Sequence, residues 1–332
     1  MLMDKFINDI QISNFKSIRS CEITNCNRIN LFIGRPNVGK SNIIEALSIF
    51  STPYLRENIF VGRKLSSLIR LENEAELFYN GNIEEGALVK TNITSCKVNY
   101  TPKDGLLINI HFENSSYNVI VDHRLSVVRS NIIPDNLFPI KRYNFNQKIN
   151  YFKRHAKYLI PPYGFNLLTI IQQYPKLKED VFNLFKESGA EIAFDKSSQT
   201  LKIIQRTKDG EIFLIPYNSI ADTLQRIIFY KAAIASNDDS ILLFEEPEAH
   251  SFPPYMTHLT QEIISKKDNQ FFIATHSPFI LNDFLENGRE DLSVFIVYYE
   301  ENQTKVKQLT SQELHDVAQF GVDLFTNSES FI

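Results

Sequence analysis

Cysteine is scarce in this 332-residue chain: only Cys21, Cys26 and Cys96 occur, and no two form a Cys-x-x-Cys pair. That argues against a disulfide framework or a thiolate zinc site and fits a reducing compartment. No apolar run approaches the roughly 20 residues that a bilayer demands, and the opening residues lack the apolar stretch of a secretory signal. The expectation is a cytoplasmic protein with no membrane contact. A charge excess is missing too: the formal net charge is −4, so global electrostatics names no partner. Internal repeats, low-complexity tracts and sustained heptads are absent. What remains is 43% hydrophobic and 22% charged, the profile of a globular protein with a sizeable core.

The apolar pattern then organises the chain. Ile10-Gln-Ile-Ser-Asn-Phe alternates as a strand does, and Arg28-Ile-Asn-Leu-Phe-Ile33 reads as a buried one. Residues 40–50 have helical spacing. Between 74 and 122, β-like runs beginning at Glu76, Val98, Leu106 and Tyr117 are punctuated by Asn80-Gly81 and Asp104-Gly105, which predicts a meandering antiparallel sheet. Residues 136–178 carry no acidic side chain, whereas Lys141, Arg142, Lys148, Lys153, Arg154, Lys157, Lys176 and Lys178 are interleaved with Tyr143, Phe145, Tyr151, Phe152 and Tyr158. Ile160-Pro-Pro-Tyr-Gly reads as a hinge loop, followed by helical spacing over 167–185. Residues 220–235, 240–244, 255–266, 270–274 and 293–299 alternate as helix, strand, helix, strand, strand. That alternation implies a mostly parallel sheet covered on both faces. A hairpin around Glu300 and a short helix close the chain. The expected layout is an N-terminal lobe over 1–135 with a β subdomain, an inserted basic and aromatic helical arm over 136–200, and a C-terminal lobe over 201–332.

Gly34-Arg-Pro-Asn-Val-Gly39-Lys40-Ser41 fits G-x(4)-G-K-[ST] and lies between a strand and a helix. Glycines let backbone amides wrap phosphates, and the helix offers its positive end to the same charge. Gly34, Pro36, Asn37, Val38, Gly39, Lys40, Ser41 and Asn42 are therefore the candidate nucleotide-binding residues. Lys40 reaches the β/γ-phosphates and Ser41 offers an oxygen to Mg²⁺. Small GTPases spell this loop the same way, but they also need Asp-x-x-Gly and Asn-Lys-x-Asp, and neither occurs here.

Two further motifs carry a family resemblance. Ser240-Ile-Leu-Leu-Phe-Glu245-Glu246-Pro247-Glu248 resembles the Walker B strand of ABC-class ATPases. Phe271-Phe-Ile-Ala-Thr275-His276-Ser277-Pro278 resembles their switch-histidine loop. From Ser41 to Glu245 is 245 − 41 = 204 residues, and so wide a separation is similar to the RecF/OLD/SMC-like group, as is Asn14-Phe-Lys-Ser-Ile before the P-loop strand. The resemblance implies an α/β ABC-type ATPase head: a mixed sheet with a P-loop helix, an antiparallel β subdomain and an inserted helical arm. It implies ATP and Mg²⁺, with Glu245 supporting the metal shell, Glu246 orienting the attacking water, and His276 at the γ-phosphate. Lys40, Glu246 and His276 are then the candidate catalytic set. The first acid is usually Asp; the longer Glu245 implies metal ligation through a shifted water and puts the hydrolysis rate in question.

The resemblance also implies a head-to-tail dimer, in which a signature helix touches the partner's ATP. The candidate is Ser219-Ile-Ala221-Asp222-Thr223-Leu-Gln225-Arg226, which departs from Leu-Ser-Gly-Gly: Ala221 replaces the serine and glycine is missing. His250 is placed either at the subunit contact or in packing. The basic stretch 136–178 reads as a DNA contact, an acidic-protein contact, or a solvated face over core aromatics. OLD-like nucleases add a Toprim domain; the 332 − 276 = 56 residues after His276 do not fit one. By resemblance, the expected role is a nucleotide-dependent sensor or scaffold with an effector or toxin protein in trans, as in prokaryotic anti-phage systems. The alternatives are a RecF-like repair ATPase and a dimeric module that holds ATP with little turnover.

Overall fold

The computed structural model describes residues 5–57, 63–112, 115–131, 139–187, 190–195, 200–206 and 209–332. Its centre is a six-stranded sheet of β3 (Ile29–Ile33), β9 (Ile140–Tyr143), β13 (Ile241–Glu245), β14 (Gln270–Ala274), β15 (Leu292–Glu300) and β16 (Gln303–Gln308). The order is β16-β15-β3-β14-β13-β9, parallel throughout except for β16, which returns antiparallel from β15. Every residue of β3 and β14 is buried, as strands covered on both faces must be. The turn into β16 places Glu301 and Asn302 at φ 51° and 60°, the conformation a two-residue hairpin loop requires.

Alternate side chains of these strands feed two cores. Phe32, Ile241, Leu243 and Phe272 face one, with the helix α1 (Lys40–Ser48) and a second sheet. That sheet runs β2-β1-β4-β5-β6-β7-β8 and is wholly antiparallel. Its strands are β1 (Ile10–Phe15), β2 (Ile18–Ile23), β4 (Ala87–Thr91), β5 (Thr94–Thr101), β6 (Gly105–Phe112), β7 (Ser115–Val121) and β8 (Val127–Ser130). Leu31, Ile33, Leu242, Phe244, Phe271 and Ile273 face the other core. There they meet α2 (Leu167–Gln173), α3 (Pro175–Glu187), α4 (Asp222–Ala235), α5 (Pro253–Ser265) and α6 (Pro278–Asn287). A small antiparallel sheet of β10 (Glu191–Asp195), β11 (Thr200–Arg206) and β12 (Ile212–Pro216) adjoins this layer, and α7 (Ser311–Phe320) follows β16. This is the mixed α/β architecture of an ABC-type ATPase head.

Three expectations need adjustment. Residues 76–79 are not a strand: Asn73 accepts the Glu76 amide and starts a 3₁₀ turn over Glu74–Leu77, with Leu77 buried beneath it. The 160–164 segment is the expected loop but is packed inward: Ile160 and Gly164 are buried and the Pro162 carbonyl accepts the Asn144 amide at 2.9 Å. The third concerns the basic arm, whose start at 136 lies outside the described residues. Residues 140–143 are a strand of the central sheet, and Lys141 and Arg142 are 7% and 3% exposed. Lys141 donates to Asn237 at 2.5 Å and to Ser240 at 3.1 Å, and Arg142 pairs with Glu245. Neither cation is available to a nucleic acid. The helical part begins later, at 167, and is interrupted at Tyr174, since Pro175 has no amide to continue α2. Among the described residues no helix is long and apolar enough to cross a membrane.

Candidate nucleotide site

The loop from β3 to α1 is shaped by backbone that most side chains forbid. Gly34 has φ +145°, and a Cβ there would stand 2.2 Å from the Val297 carbonyl oxygen. Gly39 has φ +102°, and its Cβ would stand 2.0 Å from Thr304 Oγ1. Both positions need glycine. Thr304 also donates to the Val38 carbonyl at 2.8 Å and meets the Ser17 hydroxyl at 2.6 Å. The loop is thus clamped from outside by β16 and the β1–β2 turn. Pro36 and Asn37 are exposed at its crest, with Asn37 at φ 63°. The Asn42 side-chain amide donates to Ser17 at 2.6 Å, which braces the loop.

Lys40 is 4% exposed and donates to the carbonyls of Gly34 at 2.9 Å and Arg35 at 2.7 Å. Burial lowers its pKa to about 8, against the opposing pull of Glu246 and Glu245. Behind it in α1, the fully buried Glu45 is neutralised by Lys16 at 2.5 Å and Arg70 at 2.6 Å.

β13 carries Glu245 to the same sheet edge. Its carboxylate accepts from Arg142 and from Arg70 at 3.0 Å, and the Ser41 side chain lies close enough to help lower its pKa. Burial works to raise its pKa, but Arg142, Ser41 and Arg70 outweigh that and leave it below the ordinary glutamate value. Ser41 and Glu245, 204 residues apart, are therefore in contact. They bring hydroxyl and carboxylate oxygens together, the hard donors that suit Mg²⁺, which takes one or two protein oxygens and completes its shell with water and phosphate.

Glu246 turns the chain at φ 42°, its amide bonded to the Ala274 carbonyl at 2.8 Å. Left-handed backbone in a non-glycine residue is strained and tends to occur where function holds it. Its Oε1 lies 3.6 Å from His276 Nε2. Burial first, then Lys40, lower the His276 pKa, with Glu246 opposing, so the ring is neutral at pH 7. Lys40, Glu245, Glu246 and His276, drawn from three separate stretches, share one site.

Several contributors were not foreseen. Glu248 is buried, and its Oε1 accepts from the Thr275 hydroxyl at 2.5 Å and the His276 amide at 3.0 Å, which fixes the histidine loop. Burial pushes its pKa above the ordinary value. Arg70 carries no sequence signal at all, and Arg142 was visible only as part of a basic run. The signature-like helix is partly committed within the chain: Thr223 donates to the His250 carbonyl at 2.6 Å, and Asp222 and Arg226 stand 3.7 Å apart. Gln225 is fully buried and donates to Ile220 at 3.0 Å. His250 is exposed, at φ 59°.

Known structures share this fold. The Smc head bound to the C-winged helix domain of ScpA superposes with a TM-score of 0.54 at 13% identity, covering 94% of this chain and 99% of the other. The Smc head with an extended coiled coil, bound to the C-terminal domain of ScpA from Pyrococcus furiosus, gives 0.50 at 13% identity, with coverages of 95% and 99%. No curated protein matches significantly in sequence. Residues 29–282 match the profile of a family described as "AAA domain, putative AbiEii toxin, Type IV TA system". That span takes in all three motifs and more than half the chain, and the chain belongs to this family of P-loop ATPase domains.

Proposed function

We propose that this protein binds ATP with Mg²⁺ and hydrolyses it, using the nucleotide cycle to control a separate effector protein. The observation that carries the reading is the convergence of Lys40, Glu246 and His276 beside the Ser41–Glu245 contact. Lys40 grips the β/γ-phosphates through its ammonium, exchanging the Gly34 and Arg35 carbonyls for phosphate oxygens. Glu246 orients the attacking water, and neutral His276 supports the γ-phosphate as a hydrogen-bond partner. Ser41 and Glu245 would hold the metal, which would supply charge neutralisation across the phosphates. Abolished turnover with retained ATP binding in Glu246→Gln, together with lost binding in Lys40→Ala, tests the assignment.

The effector role draws on the family description, which names a toxin–antitoxin context, and an anti-phage setting is the reading that fits it. The working unit is a head-to-tail dimer. Phe252 and Phe279, 63% and 58% exposed, stand next to the Glu246 turn and the His276 loop, where a second copy would cover them. A second reading, ATP-dependent DNA binding, keeps support from Lys148, Lys153, Lys157, Lys176 and Lys178, which are exposed in the inserted segment. Salt-sensitive retention of duplex DNA in the presence of ATP favours it. Equal turnover in wild type and Glu246→Gln, with ATP still bound, favours a module that merely holds the nucleotide.

A further inference from the structure

The strand β12 breaks the pattern that the other sheet edges follow. Six strands lie at sheet edges among the described residues: β2, β8, β9, β10, β12 and β16. Five of them carry charged side chains, such as Arg19 in β2, Arg129 in β8, Lys141 in β9, Glu191 in β10 and Lys305 in β16. Charge on an edge strand blunts its capacity to pair with another chain. β12, Ile212-Phe-Leu-Ile-Pro216, has none. Its three consecutive residues Ile212, Phe213 and Leu214 are 56%, 60% and 43% exposed.

The register excludes an ordinary half-buried edge. Ile203 pairs with Ile215 and Gln205 with Phe213, which puts Phe213 and Ile215 on the face of the buried Leu201 and Ile203; Ile212 and Leu214 take the other face. A strand with one face in water alternates apolar with polar residues, whereas both faces of β12 are apolar. Among the described residues β11 is its only strand partner, so alternate residues turn amide and carbonyl groups to the free side. An edge of this kind fits an extended strand without charge.

A second copy of β12 has that chemistry. Antiparallel pairing sets residues of like backbone orientation opposite each other, so a two-fold axis passes between one residue and its own copy. The register that pairs all five residues puts Leu214 of one chain opposite Leu214 of the other, Phe213 opposite Ile215 and Ile212 opposite Pro216. No like charges meet, and an aromatic residue opposite a β-branched one is a favourable pair. The two small sheets then become one six-stranded antiparallel sheet, and the contact closes at two chains because each copy uses its one uncharged edge.

We propose that two copies of this chain associate through β12, edge to edge and antiparallel, about a two-fold axis. The contact lies on a different element from Phe252 and Phe279 and needs no nucleotide, so its test stands apart from the ATP assignment.

The test is the mass of the full chain in nucleotide-free solution, by light scattering and sedimentation across the micromolar range. The wild type is expected at twice the chain mass of 38.4 kDa. Leu214→Lys and Leu214→Glu each set like charges against each other across the axis and are expected to weaken association on the order of a hundredfold. Mixing the two variants is expected to restore dimers, which also shows that both are folded. The proposal is overturned if the wild type keeps a single-chain mass, which leaves the edge to a different protein. It is overturned as well if either variant dimerises as the wild type does, or if the mixture associates no better than its parts. Dimers that form only with ATP belong to the nucleotide-dependent face and equally overturn it.

Discussion

Glu248 offers a prediction that separates positioning from catalysis. Its Oε1 is the acceptor for two groups at the head of the histidine loop, the Thr275 hydroxyl and the His276 amide. Glu248→Ala leaves both donors in a buried site without that acceptor. At about 1–3 kcal/mol for each unsatisfied buried group, the loss is about 2–6 kcal/mol, a large part of a typical domain's stability. Glu248→Gln keeps a carbonyl oxygen in place and should cost little. The loop also holds His276 near Glu246, and a displacement of about 1 Å at a reacting centre can cost about a hundredfold in rate. Urea midpoints and ATP turnover should therefore rank wild type, Gln and Ala in that order, with ATP affinity nearly constant. The pH dependence adds a check. Burial raises the folded pKa of Glu248 above the ordinary glutamate value, so the native state binds more protons than the unfolded state. Stability should fall as pH rises from the unfolded value through the folded one, and Glu248→Gln should remove that component. Equal midpoints and equal turnover in wild type and Glu248→Ala would refute the reasoning.

Three further outcomes are expected. Lys40, with its pKa lowered to about 8, must be charged to hold phosphate. In the free protein it loses its proton as pH rises through that value, so ATP affinity should weaken by up to about tenfold per pH unit above it, measured by titration calorimetry. Glu246→Gln should lower turnover by about 10²–10⁴ while leaving ATP affinity within a few-fold, read from single-turnover kinetics and equilibrium binding. Gly39→Ala should lower the melting temperature, because φ +102° strains any side chain by about 1–3 kcal/mol and the new Cβ overlaps Thr304; Thr304→Ala in the same chain should recover only the overlap.

The sequence made the site's contiguous pieces legible because each is a strand ending in chemistry. Gly34 to Ser41, Glu245-Glu246 and His276 each follow a run of buried residues, and parallel pairing of β3, β14 and β13 carries all three to one edge. Pattern therefore located the strands to within a residue or two, and 270–274 without error. What pattern could not supply was pairing across distance. Arg142 meets Glu245 from 103 residues away, and Arg70 meets it from 175. With no acid nearby in sequence, Lys141 and Arg142 looked solvated although both are buried. The Glu76 run failed for a local reason: Asn73 caps a 3₁₀ turn there, and two apolar residues are buried just as well by a turn as by a strand. Glu248 shows the converse case. It sits inside a recognised motif, but its work is done through the backbone of another strand's loop.

A triphosphate held at Lys40 is most directly tested by the equilibrium affinity for ATP with Mg²⁺ in wild type and Lys40→Ala. The wild type should bind, and the variant should lose on the order of a hundredfold, about 2.7 kcal/mol. Equal affinities in the two proteins would contradict the assignment of the site.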